Sequence, residues 1–161
     1  MTVRCRKARP ENIDDMEGFR LLVREYVESL GLDLAYQGLE EELASLPGKY
    51  SEPEGAMILA EADGILCGCV AMKKLEPEIC EMKRLYVKDR YRGSGTGRLL
   101  VERILSEARE RGYSLMRLDS LGRMRAAVEL YRSFGFRPAP AYVFNPIEDA
   151  VFMEKDLGRQ P

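Results

Sequence analysis

Histidine is missing from this chain of 161 residues. A Ser-His-Asp or Cys-His nucleophilic site therefore cannot be assembled within one chain, and neither can a zinc site that depends on histidine ligands. Four cysteines are present, Cys5, Cys67, Cys69 and Cys80, but they contain no CxxC pair and no partner base accompanies them. They read as reduced, buried small hydrophobes, with Cys67 and Cys69 two positions apart in a strand and so expected on the same side of it. No metal centre is expected. Long apolar runs are missing too. Arg4, Arg6 and Lys7 make the N-terminus basic, yet no apolar stretch of a signal peptide follows and nothing approaches membrane-spanning length. The expectation is a soluble, cytoplasmic protein with no membrane partner. A formal charge of −2, with acids and bases interspersed, argues against nucleic acid as the main partner. No linker, repeat or low-complexity tract divides the sequence, so residues 1–161 are read as one domain.

What is present centres on Cys80 to Gly112, which reads as a strand, a glycine-rich turn and a long helix in succession. Ile79 to Val87 carries β-branched, aromatic and aliphatic residues without helix-breaking punctuation, as a strand with a buried face does. Arg92-Gly93-Ser94-Gly95-Thr96-Gly97 then sets a cation before three glycines at alternate positions. Glycine allows positive φ, and its missing Cβ lets main-chain N–H groups approach a ligand. Leu100, Val101, Ile104, Leu105 and Ala108 follow at helical spacing, so a helix begins within the glycines. A helix N-terminus offers unpaired donors and partial positive charge, and this one invites a phosphate or pyrophosphate. Arg90, Arg92, Arg98 and Arg103 add positive charge nearby. Spacing then discriminates among phosphate loops. Gly97 is followed by Arg98 and Leu99 rather than Lys-Ser/Thr, which excludes a Walker loop, and a single residue between Gly95 and Gly97 disfavours dinucleotide and kinase fingerprints.

Around this unit, Thr2 to Ala8 alternates as a short strand. Ile13 to Leu30 places Phe19, Leu22, Val23, Tyr26, Val27 and Leu30 on one helical face, with Gly31 as the stop. Gly38 to Leu46 repeats the pattern more briefly. Ala56 to Glu61 and Ile65 to Lys73 read as a hairpin about Asp63-Gly64, with Gly68 hinting at a bulge or a close approach. Beyond the central helix, Tyr113 to Leu121 is a strand expected parallel to Ile79–Val87, because a helix crosses between them. Met124 to Phe134 is a helix, Pro138 and Pro140 keep the next segment extended, and a final hairpin is expected from Ala141 to Phe144 and Ala150 to Lys155.

Arg-x-x-Gly-x-Gly at Arg92 to Gly97, after a strand ending Leu85-Tyr86-Val87, resembles the acetyl-CoA-binding motif of the GNAT superfamily of N-acetyltransferases. Leu130-Tyr131-Arg132-Ser133-Phe134-Gly135-Phe136 is similar to that superfamily's LYxxxGF segment, and the likeness extends in order over nearly the whole chain. The resemblance implies an α+β fold: a mixed, mostly antiparallel sheet with a central parallel strand pair, flanked by helices. It implies that the parallel strands splay at one end to admit the pantetheine arm of acetyl-CoA, the acyl-donor cosubstrate. Main-chain groups of Leu85, Tyr86 and Val87 would meet that arm, and Arg92, Gly93, Ser94, Gly95, Thr96, Gly97 and Arg98 would hold its diphosphate.

The activity so implied is transfer of acetyl to a primary amine, which must lose a proton while the carbonyl is polarised and the leaving thiolate protonated. Tyr131 matches the family's general acid, although it also lies on the apolar face of its helix. Glu81 matches the strand carboxylate that deprotonates the amine, with Asp119 and Ser120 as alternatives. The N–H near Val87 would polarise the carbonyl. Simple alternation puts Glu81, Lys83, Leu85 and Val87 on one face of the strand, and the face toward the acceptor depends on any bulge. Tyr26, Tyr36, Lys49 and Tyr50 fall where the family builds its acceptor wall. One departure is Met124, where many relatives carry an asparagine, leaving a neighbouring arginine to replace its contact. A small-molecule amine is the expected partner, its identity open among aminoglycosides, polyamines, amino acids and protein termini, and a homodimer is the assembly the family allows. The rival reading is a non-catalytic acyl-CoA-binding module.

Overall fold

The computed structural model of the chain describes residues 2–35 and 38–158. Strand β1 (Val3–Lys7) leads to helix α1 (Ile13–Leu30), which begins and ends where the sequence punctuates it. The Asn12 side chain accepts the Asp15 N–H at 3.0 Å, and Gly31 closes the helix at φ 64. Buried Asp15 then accepts two hydrogen bonds from Arg6 of β1, each at 2.8 Å, which hold its carboxyl well below the usual carboxylate range and pin the helix to the sheet. Helix α2 (Leu39–Ala44), the hairpin strands β2 (Ala56–Ala62) and β3 (Ile65–Glu76), and β4 (Ile79–Val87) follow. Then come α3 (Thr96–Glu110), β5 (Leu115–Leu121), α4 (Arg125–Ser133), the two-residue β6 (Arg137–Pro138) and β7 (Ala150–Asp156).

The strands form one seven-stranded sheet in the order β1-β2-β3-β4-β5-β7-β6. Every neighbouring pair is antiparallel except β4 and β5, the expected parallel pair. Their pairing covers only Ile79–Glu81 against Leu115–Arg117, and beyond it the two strands part. Side-chain alternation divides the core between the two faces. In β2, Ile58 and Ala60 pack toward α3 with Leu100, Ile104 and Tyr131, whereas Met57 and Leu59 pack toward α1 and α2 with Phe19, Leu43 and Tyr50.

Three register shifts break that alternation, and two of them overturn an expectation. Opposite Ala60 and Glu61, β3 carries an extra residue at Cys67. Cys67 therefore packs on the α3 side and Cys69 on the α1 side, instead of sharing a face. Gly68 is required there, since a Cβ on it would stand 2.8 Å from the Tyr86 carbonyl oxygen. The second shift lies in β4, where Ala71 pairs with Lys83 but Cys69 pairs with Tyr86. Arg84 takes up the surplus at φ 64, an unusual backbone for a residue with a Cβ. Before it, Cys80 and Met82 face α3; after it, Leu85 and Val87 do, while Tyr86 joins the α1 side. Glu81 and Lys83 thus lie on the face opposite Leu85 and Val87, contrary to simple alternation.

The expected final hairpin also changes. Residues 141–144 form no strand; β7 pairs instead with Arg137 and Pro138, at a sheet edge where a proline loses no ladder bond. Tyr142 is drawn away by a hydrogen bond to Glu81, so the intervening loop crosses the sheet rather than pairing along it.

Candidate active site

The parting of β4 and β5 opens a cleft of roughly 630 Å³, mouth included, whose walls come from five parts of the chain. Met82 to Leu85 and Leu118 to Leu121 line its two strand edges. Tyr26 and Leu30 of α1 and Tyr131 of α4 close the helix sides, and Asn145 and Ile147 supply the loop side.

At one end of β4 the glycine turn delivers its main chain. Gly93 and Gly95 sit at φ 78 and 86, Gly95 as the N-cap of α3. The Ser94 hydroxyl donates to the Tyr91 carbonyl and lies 2.7 Å from Thr96 Oγ1, so the turn satisfies its own hydroxyls. Its amides are another matter. The six consecutive N–H groups from Gly93 to Arg98 have no acceptor among the described residues, and the first helical bond is Leu99 N–H to the Gly95 carbonyl. Arg92 donates from Nε to the Val87 carbonyl at 3.2 Å and lies over the Tyr86 ring, 5.8 Å from its centroid. Arg98 bonds Ser133 at 2.9 Å and stacks 4.6 Å above Phe134 of the segment after α4. Gly97 packs close to α4, where a Cβ would come 3.3 Å from the Leu130 side chain. Along the strand, the Tyr86 carbonyl turns toward β3, so the main-chain groups of Leu85 and Val87 turn to the edge that β5 has left.

A family model described as an acetyltransferase (GNAT) domain matches residues 53–138, from the segment before β2 to the end of β6. The chain belongs to the GNAT acetyltransferase family. An N-acetyltransferase of Schizosaccharomyces pombe is 41% identical over 93% of this chain and 91% of its own. Among solved structures, a GNAT-family acetyltransferase of Staphylococcus aureus superposes with a TM-score of 0.80 at 16% identity, covering 98% of this chain and 100% of that one. An acetyltransferase of Salmonella typhimurium solved with its cofactor acetyl-CoA superposes with a TM-score of 0.73 at 18% identity, covering 99% of this chain and 96% of that one. This GNAT protein is accordingly an acyltransferase of the N-acetyltransferase class, and it shares its fold with the Salmonella protein that holds acetyl-CoA.

In this GNAT fold Tyr131 stands where the cleft meets the α3-side core. It is 6% exposed, its ring lies edge-on to Phe136 at 5.8 Å, and its hydroxyl has no hydrogen-bond partner among the described residues. Burial, and secondarily the negative potential of Tyr26 and Asp119, pushes its pKa well above that of an ordinary phenol. Glu81 lies at the last paired position of β4, just before the splay, and is 2% exposed. It accepts the Tyr142 hydroxyl at 2.6 Å with Lys73 Nζ at 3.8 Å, and the cleft wall passes it by. Burial and the Glu81 charge together raise the Tyr142 pKa, which keeps that proton on the phenol. Asp119 does line the cleft, and accepts a 3.0 Å hydrogen bond from Asn145. Ser120 lines it beside Asp119.

The acceptor-wall residues separate. Tyr26 lines the cleft with its ring 5.6 Å from that of Tyr86, whereas Tyr36 lies outside the described residues. Tyr50 and Lys49 turn instead to Glu42, an anchor that sequence patterning passed over. Buried Glu42 receives Arg84 at 2.9 Å on each carboxylate oxygen, Tyr50 at 2.8 Å and Lys49 at 2.7 Å. Desolvation opposes its ionisation, but the combined bonds and charges of Arg84 and Lys49 outweigh it and pull the pKa down to about 2. This clamp holds the strained Arg84 bulge against α2. No local pattern signals it, since Glu42 and Arg84 lie 42 residues apart. Met124 lies 4.0 Å from the Tyr26 hydroxyl, and its neighbour Arg123 is committed to Asp149 at 2.7 and 3.0 Å.

Proposed function

We propose that this chain transfers the acetyl group of acetyl-CoA to a primary amine of a small-molecule acceptor, by direct attack of the amine on the thioester. The observation that carries the reading is the row of six N–H groups, Gly93 to Arg98, without an acceptor among the described residues, just beyond the end of β4, the strand that lines the cleft together with Tyr131. A diphosphate is an acceptor-only polyanion, and donors at a helix N-terminus flanked by Arg92 and Arg98 are its complement. The vacated edge of β4 at Leu85 and Val87 suits an arm that carries amides, in the manner of an added strand. When bound, acetyl-CoA supplies the activated acyl group.

The remaining tasks fall to the chain. The N–H near Val87 polarises the carbonyl as it becomes tetrahedral. Tyr131, held protonated by burial, delivers its proton to the departing sulfur. For the amine proton, Asp119 is the carboxylate in the cleft wall and Glu81 the deeper one, already engaged by Tyr142. The test is thiol release measured with acetyl-CoA and a panel of amines, together with calorimetric acetyl-CoA binding for wild type and Tyr131→Phe. Loss of turnover with binding retained supports the assignment. Absence of acetyl-CoA binding overturns it, and binding without thiol release from any amine would favour a non-catalytic acyl-CoA-binding module.

A further inference from the structure

Lys83 lines the same cleft, yet it makes no hydrogen bond or salt bridge among the described residues. Its position explains why. The parallel register ends at Glu81 opposite Arg117, and continued by two residues it would set Lys83 beside Asp119. Both side chains project toward α1 and α2: the Arg84 bulge follows Lys83, so it still faces opposite Met82, and Asp119 alternates with core-facing Leu118. The strands part at this level, so the ammonium and the carboxylate stand across the opening without meeting. The charges beside Lys83 on β4 are satisfied. Arg84 is neutralised by Glu42, and Glu81 is engaged by Tyr142 and Lys73.

A cleft with one unpaired cation and one carboxylate on opposite lips is complementary to a zwitterion. We infer that the acceptor is a free amino acid, whose carboxylate is held by Lys83 while its amine is presented to Asp119. This deepens the acetyl-transfer reading and rests on it. Lys83 is then a specificity-determining residue that touches the acceptor. Burial lowers the pKa of its ammonium, partly offset by Glu81 and Asp119, as befits a cation lacking a close counter-ion. A polyamine would place a second cation against Lys83, and a peptide N-terminus would place a neutral amide there. Neither answers the unpaired charge.

The experiment measures thiol release with the free L-amino acids, their α-carboxamides, spermidine and a short peptide, for wild type, Lys83→Met and Lys83→Arg. For at least one amino acid, kcat/KM should exceed that of its carboxamide by about 30-fold, the scale of a lost charge-assisted contact. Lys83→Met should raise KM for that amino acid by a similar factor, with kcat within about threefold and the carboxamide unaffected, and Lys83→Arg should restore part of the preference. Equal use of acid and carboxamide, or a Lys83→Met loss confined to kcat for both, overturns the inference. Turnover of spermidine or peptide alone overturns it too, while leaving acetyl transfer standing. Failure of calorimetric acetyl-CoA binding strikes the parent reading instead.

Discussion

The glycine turn beyond β4 and the cleft between β4 and β5 are built from different materials. At the glycine turn the ligand-facing groups are main-chain amides, presented by Gly93, Gly95 and the first turn of α3, and nearly all the geometry is contained within Arg92 to Arg98. In the cleft the wall is made of side chains from β4, β5, α1, α4 and the 139–149 loop, with Arg84 and Asp119 held by Glu42 and Asn145, which lie 42 and 26 residues away in the chain. The first is a local device and the second a tertiary one. A local device tolerates change elsewhere in the fold but not to its own backbone. A tertiary one depends on buried ion pairs whose loss propagates.

The sharpest way to break the tertiary device is Glu42→Ala. It strands the Arg84 guanidinium beside Tyr50 in the interior, and removing one partner of a buried pair costs about 3–5 kcal/mol. Urea unfolding should show that loss, and a change under 1 kcal/mol would mean that the clamp contributes little. Gly95→Asp attacks the local device, forcing a side chain into φ 86 and a negative charge into the anion site. Acetyl-CoA affinity should fall by roughly 100-fold or more by calorimetry, with stability reduced far less than in Glu42→Ala. Between the two, Tyr131→Phe should lower kcat by about 100-fold and leave acetyl-CoA affinity unchanged. Asp119→Asn should cost more turnover than Glu81→Gln, on the order of tenfold against a few-fold, because only Asp119 faces the opening. The reverse order in kcat would move the proton path to Glu81.

The Glu42 clamp also carries a pH dependence. Glu42 has a folded-state pKa near 2, below the unfolded value of 4.5, so its stabilisation is complete above about pH 4.5 and drains away as pH falls toward 2. Unfolding measured across that window should lose this component in Glu42→Gln, whereas wild type should retain it.

Much of the architecture was legible in the sequence. Helix α1 was bounded by its apolar period and Gly31, the β2–β3 hairpin by Asp63-Gly64, and the strand, turn and helix of Ile79 to Glu110 by hydrophobic periods flanking glycines, all short-range signals that chain stereochemistry enforces. Bulges escaped because they are decided between strands. Nothing in Lys83-Arg84-Leu85 announces that Arg84 will adopt positive φ; it does so because Glu42, from another element, rewards the buried guanidinium with two hydrogen bonds. The last loop escaped for the same reason, since the hydroxyl of Tyr142 found Glu81 and drew residues 141–144 out of the sheet.

The amino-acid order by itself thus determined where main-chain donors would be exposed, because glycine placement and a helix start act within a few residues. Which side chains face the acceptor was decided only in three dimensions. A single surplus residue in β4 inverts the alternation after Lys83, and the parting of β4 from β5 keeps that lysine and Asp119 apart across the opening. Burial makes each such charge costly unless a partner arrives, and the partner's identity depends on packing rather than on proximity along the chain.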